Sequence, residues 1–222
     1  MKKVIITGAT GMVGKGVLLE CLDHHSIEKV LVIGRNSIEI QHPKLTEFIH
    51  KDFTNFSGVK DQLKGYDACF FCLGVTSAGM KQEDYKRITY DFTLSLAKTL
   101  VDINSEMTFN YVSGEGTDSS EKGRSMWARV KGKTENDLLK LGFKQAFMFR
   151  PGAIIPLRGI KSRTKSYQFM YDYFMWLVKL IKAIAPNSVV NTAQIGLAMI
   201  NSVLKGYNKN VLRPKDILLL AE

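Results

Sequence analysis

Val4-Ile5-Ile6-Thr7-Gly8-Ala9-Thr10-Gly11-Met12-Val13-Gly14 decides how the rest of the chain is read. Three apolar residues lead into glycines at 8, 11 and 14. Val13, Val17, Leu18, Cys21 and Leu22 then recur at the spacing of a helix with one buried face. The pattern predicts a strand, a glycine-rich turn and a helix. A turn that passes beneath a dinucleotide needs Gly8 for a sharp bend, Gly11 so that backbone can approach a pyrophosphate, and Gly14 so that helix packs on strand. The helix N-terminus then offers unpaired N–H groups and the positive end of its dipole to the phosphates.

Working outward, residues 30–33 predict a second strand that ends in Gly34-Arg35-Asn36. A unit that binds NAD usually carries an acidic residue here for the adenosine ribose. Arg35 stands there instead, and an arginine suits the 2′-phosphate of NADP, which a carboxylate repels. NADP is therefore expected rather than NAD.

Residues 48–53 read as a third strand with Asp52 emerging at its end, and 59–63 as a short helix. The apolar run 66–73 reads as a strand buried on both faces. Gly74, Val75 and Thr76 follow it as candidate cofactor contacts at a carboxyl end. A long helix is predicted from Gln82 to about Asn104, with Tyr85, Ile88, Phe92, Leu96 and Leu100 facing inward. Then come a strand over 108–112 closed by Ser113-Gly114, a polar loop, a helix carrying Trp127 and Lys131, and a strand over 146–149 ending in Arg150-Pro151-Gly152. The aromatic, methionine-bearing stretch 167–185 is interrupted by Asp172, Lys179 and Lys182, so it predicts an amphipathic helix rather than a membrane span. A helix over 193–204 and a short strand and helix over 211–220 finish the chain. This alternation predicts an α/β doubly wound parallel sheet, a Rossmann fold, with a small C-terminal helical extension. One domain over 1–222 is expected, with 153–222 forming the lobe on the substrate side.

The chain has 222 residues, a formal net charge of +10, 45% hydrophobic residues and 23% charged ones. Its lysines and arginines are spread along the sequence instead of gathered with aromatics, so no nucleic-acid partner is expected. The excess reads mostly as solvated surface. Three cysteines point to a reducing compartment. Cys69-Phe70-Phe71-Cys72 falls in a strand, where side chains three apart face opposite ways, and no second pair completes a zinc set, so no metal is expected. The apolar run after Met1-Lys2-Lys3 is broken at Thr7-Gly8, and a cytoplasmic protein is expected.

The glycine-rich turn, the Val112-Ser113 strand end, a lysine in the next helix and Arg150-Pro151-Gly152 together resemble the atypical and extended short-chain dehydrogenase/reductase superfamily. They are most similar to its NAD(P)-binding, epimerase-like proteins related to the Tat-interacting oxidoreductase. The resemblance runs from the first strand to about Leu204. It implies that Thr7, Gly8, Thr10, Gly11, Met12, Val13 and Gly14 form the pyrophosphate turn and that Arg35 meets the 2′-phosphate. It also implies that Asp52 and Phe53 edge the adenine, and that Leu73 and Gly74 pass beside the adenosine ribose. Ser113 and Lys131 match a catalytic serine and lysine at the nicotinamide end.

The tyrosine of that triad should stand four residues before the lysine, one helical turn away on the same face. Trp127 occupies the position. An indole N–H donates a hydrogen bond but is no proton source near neutral pH. Tyr85 and Tyr90 are candidate replacements, with core packing as the alternative for both. Lys131 can donate only if burial lowers its pKa, an arrangement disfavoured beside a cofactor phosphate or ribose. Two functions follow: an NADP-dependent oxidoreductase or epimerase-like enzyme on a small organic substrate, or a non-catalytic NADP(H)-binding sensor or scaffold. Segment 167–185 leaves open homodimer pairing or peripheral membrane contact, with packing inside the protein favoured.

Overall fold

β1 (Lys2–Thr7) lies in the middle of a seven-stranded sheet, between β2 (Ile27–Gly34) and β4 (Ala68–Phe71). Its Val4, Ile5 and Ile6 are fully buried because both faces of the strand are covered. Val4 and Ile6 enter one core cluster and Ile5 the other, as the two-residue period of a strand requires. This computed structural model describes residues 1–160 and 188–222, so the helix expected over 167–185 lies outside the described residues.

The strand order is β3-β2-β1-β4-β5-β6-β9, with every pairing parallel. β3 is Leu45–Ile49, β5 Thr108–Val112, β6 Gln145–Phe149 and β9 Val211–Leu212. Sequence order reverses between β1 and β4, which opens a crevice at the carboxyl ends of the strands there. One face is covered by α1 (Met12–Asp23), with α5 (Thr192–Leu204) and α6 (Pro214–Leu220) beside it. The other carries α3 (Phe92–Ile103) and α4 (Met126–Leu138). The doubly wound α/β fold is thus the one the alternation predicts.

Several boundaries differ from expectation, each for a local reason. The third strand stops at Ile49, because Asp52 turns the chain by accepting from the Thr54 amide at 2.9 Å and its hydroxyl at 2.5 Å. Residues Ser57–Leu63 form a 3₁₀ segment with a kink at Val59. The long helix divides into α2 (Gln82–Lys86), a π-helical turn over Arg87–Asp91 and α3. Two three-residue strands, β7 (Ala153–Ile155) and β8 (Val189–Asn191), pair in a second small sheet, and Asn191 with Gln194 forms the capping box that starts α5.

α1 and α5 meet across Gly16. A Cβ placed there would lie 2.5 Å from the Thr192 Cβ, so the two backbones approach only because the position has no side chain. Gly16→Ala is expected to lower stability by about 1–3 kcal/mol through overpacking. Gly58→Ala, where nothing lies within 4 Å of the added carbon, should stay within about 1 kcal/mol of the parent. Urea unfolding of the two variants checks the difference.

Candidate functional site

The three glycines of the first turn hold three different approaches. Gly8 has φ +71°, and a Cβ on it would sit 2.6 Å from the Cys72 carbonyl carbon and the Leu73 nitrogen, so the exit of β4 runs directly against it. A Cβ on Gly14 would run into the Gly8 carbonyl, so α1 packs on the turn only with glycine there. Gly11 is the more open of the three, its added carbon meeting only the Gly8 carbonyl oxygen, at 3.3 Å. α1 has Gly11 as its N-cap, no side-chain cap and no acidic residue in its first turn, leaving its leading N–H groups to an anionic ligand.

Beside this turn lies a cavity of about 400 Å³. Gly8, Thr10, Gly11, Met12, Arg35, Phe53, Leu73 and Gly74 line it, with Val75 and Thr76. Ala9, Asn36, Ile38, Cys72, Ile88 and Phe92 also line it, and sequence reasoning missed these. Ile88 and Phe92 come from the π turn and the helix after it, whose curvature no residue pattern announces. The residues fit a nicotinamide dinucleotide: a glycine turn, an uncapped helix and an apolar cleft.

Four expected contacts do not line this cavity. Thr7 is fully buried in β1, off the cavity, and its Oγ1 has no hydrogen-bond partner among the described residues. Val13 and Gly14 stand in the first turn of α1, where their backbone N–H groups, rather than any side chain, face the turn's open end. Asp52 lines a neighbouring cavity, and its carboxyl is held below the usual range by the Thr54 hydroxyl first and the Thr54 amide next.

Ser113, Trp127 and Lys131 come together at the end of β5, one strand beyond β4. Trp127 and Lys131 are one turn apart on α4, the indole resting against Gly116, and Lys131 Nζ donates to the Ser113 carbonyl oxygen. Ser113 is buried, and its hydroxyl donates to the Phe149 carbonyl at 3.1 Å. Burial lowers the Lys131 pKa to about 8, with the Glu135 charge acting in the opposite direction.

Of the candidate tyrosines, Tyr90 is engaged elsewhere. Tyr90 donates to Asp137 at 2.7 Å on the far side of α4, between Lys86 and Lys133, and its pKa is raised by burial first and then by that bond. Tyr85 is buried in the core.

Sequence reasoning also missed Glu135, one further turn along α4. It takes Arg150 from the end of β6, whose Nε lies 3.0 and 3.2 Å from the two carboxylate oxygens and whose Nη2 also reaches Oε2. The pair is buried, with 8% and 1% side-chain exposure, and Arg150 Nη2 continues to Ser119. The arginine of the Arg-Pro-Gly motif thus ties the polar loop to α4. The cysteines have no such role: Cys69 and Cys72 face opposite clusters, and burial lifts Cys72 to about 12. Among the described residues no group of three or more His, Cys, Asp and Glu could hold a metal.

Sheet order, glycine turn and crevice define a nucleotide-binding protein of the doubly wound class. Residues 4–119, more than half of the chain, match the NAD dependent epimerase/dehydratase family, and the chain belongs to that family. It is 30% identical to the rat protein HTATIP2 over 156 residues, which are 69% of this chain and 63% of that protein's length. The mitochondrial protein fmp52-1 of Aspergillus terreus is 26% identical over 218 residues, 95% of this chain and 91% of the relative.

Solved structures share the fold. UDP-N-acetylglucosamine 4-epimerase from Methanobrevibacter ruminantium superposes with a TM-score of 0.72 at 18% identity, covering 96% of this chain and 76% of the epimerase. Bordetella bronchiseptica WbmF in complex with NAD⁺ gives 0.70 at 14%, covering 99% and 76%. A nicotinamide dinucleotide is the cofactor class these findings support. The cytoplasmic expectation is overturned, because the fungal relatives that span nearly the whole chain are named as mitochondrial proteins. No helix among the described residues is long and apolar enough to cross a membrane.

Two outcomes test this geometry. Glu135→Gln leaves a buried guanidinium without its counter-charge and should cost about 3 kcal/mol or more by urea unfolding, much of it recovered when Arg150→Met is added. Between about pH 8 and the ordinary lysine value of 10.5, the unfolded chain holds a proton on residue 131 that the folded chain has lost. Stability of the parent relative to Lys131→Met should therefore rise with pH across that window, read as the difference in Tm.

Proposed function

We propose that this chain is an NADP(H)-dependent oxidoreductase that acts on a small organic substrate without the tyrosine usual in its superfamily. The observation that carries the reading is the Ser113–Lys131 contact at the end of β5, one strand beyond the crevice that the glycine turn opens. Gly8, Gly11 and the first N–H groups of α1 would hold the pyrophosphate, with Arg35 toward the 2′-phosphate. When bound, the nicotinamide supplies hydride transfer.

The protein's own part is positioning and proton handling. Lys131 Nζ, with a pKa of about 8, carries a proton it can release near neutral pH. Ser113 would orient a substrate oxygen once its hydroxyl turns from the Phe149 carbonyl. Trp127, resting against Gly116, would wall the site. The stretch 153–222 would form the substrate-side lobe. Quinones and flavins, whose reduction needs no strong acid, and small planar carbonyls are the substrate class we propose. The same reading has no place for nucleic acid.

Two observations favour a second reading, a non-catalytic NADP(H)-binding sensor or scaffold. Trp127 stands where the acid belongs, and the Ser113 hydroxyl is turned inward. The test is NADPH consumption with a panel of quinones, flavins and aldehydes. The enzyme reading expects turnover that falls about 100-fold in Ser113→Ala, the loss typical of one oriented hydrogen-bond group. An inert parent together with an active Trp127→Tyr variant would replace it with the second reading.

A further inference from the structure

Beyond Arg35 the dinucleotide cavity adjoins a second one, of about 330 Å³. Arg35, Phe53, Ile88 and Phe92 line both, so the two meet along a shared wall. Two further cations face the second cavity, Lys51 from the turn after β3 and Arg87 from the start of the π turn. None of the three forms a salt bridge or a side-chain hydrogen bond with the described residues, although the Arg87 charge, after the Thr54 bonds and His50, helps hold the Asp52 carboxyl low. Elsewhere the long cations are commonly paired, as Arg150 is with Glu135 and Arg158 with Glu20 and Asp23.

Two carboxylates share the second cavity, Asp52 and Asp84. Asp52 is already engaged by Thr54 through its amide and hydroxyl. Three cations against two carboxylates leave an excess of one positive charge, at a place where a phosphomonoester bringing a charge of about −1.5 to −2 would be nearly balanced. Unpaired guanidinium groups are forks suited to phosphate oxygens, and they lose little solvation when a dianion replaces water.

We infer that this annex is the seat of the cofactor's 2′-phosphate, and that Arg87 of the π turn, with Lys51, acts beside Arg35 as a second arm selecting NADPH over NADH. The inference rests on the dinucleotide reading of the glycine turn and adds specificity residues to it. It also gives the π turn a role, since irregular turns of this kind often present functional side chains. Arg35 was marked by its place at the end of β2; Lys51 and Arg87 lie far from it in sequence and are gathered only by the fold.

Binding, not turnover, tests the inference. Dissociation constants for NADPH and NADH are measured by calorimetry on the full chain and on Arg87→Gln, Lys51→Gln and Arg158→Gln. Arg87 is exposed and Arg158 lies apart from the site, so folding of each variant is checked by circular dichroism. The parent should prefer NADPH, and Arg87→Gln should weaken NADPH about tenfold while leaving NADH within about twofold, the value of one charge-assisted contact. Lys51→Gln should act in the same sense and Arg158→Gln on neither cofactor.

If the parent prefers NADPH but Arg87→Gln and Lys51→Gln shift both cofactors alike or neither, the annex is wrong and the dinucleotide site stands. Equal affinity of the parent for both cofactors overturns the annex and the NADP preference together. A parent that binds neither overturns the dinucleotide reading itself.

Discussion

The ligand end of this sheet depends on how closely Gly8 approaches the backbone between Cys72 and Leu73. No side chain fits there, since even a Cβ would lie 2.6 Å from main-chain atoms. That approach brings the exit of β4 against the end of β1 and so forms the floor of the crevice where strand order reverses. Gly14 then lets α1 descend onto the same turn. Met12, the first residue of α1, lines the crevice. The phosphate affinity proposed for this turn would thus be a property of backbone held in place by absent side chains, with the helix dipole adding to it.

How much of this was legible in the sequence varies with the range of the interaction. β1, its turn and α1 follow from local periodicity and glycine spacing, and they appear where the pattern places them. The trio Ser113, Trp127 and Lys131 was legible through the superfamily resemblance, whose serine falls at the end of β5 and whose tyrosine-to-lysine spacing falls on positions 127 and 131. Asp52 was misplaced because its carboxyl satisfies its own turn through Thr54, a local bond that competes with any ligand. The π turn over Arg87–Asp91 was invisible, since one wider turn leaves the apolar spacing of the surrounding helix nearly intact. Glu135 reads as a surface residue until Arg150, from another element, buries it.

Two electrostatic devices of opposite kind meet around α4. Arg150 and Glu135 are desolvated together and satisfy each other, which fixes the polar loop through Ser119. Lys131, one turn earlier, is desolvated with no carboxylate bonded to it, and its proton is correspondingly loose. With tryptophan at position 127, Lys131 is the member of the trio whose pKa burial moves toward neutral. The family fold alone does not decide whether that proton is used, because folds of this class host many activities.

The central claim is that a nicotinamide dinucleotide lies on the Gly8–Gly14 turn. Amide hydrogen exchange of the full chain, with and without saturating NADPH, tests it most directly. The account predicts slowed exchange concentrated at Gly11, Met12 and Val13 and at the strand exit from Leu73 to Thr76, with the far end of the sheet unchanged. Protection that is absent, or that falls on other elements while this turn exchanges as before, would contradict it.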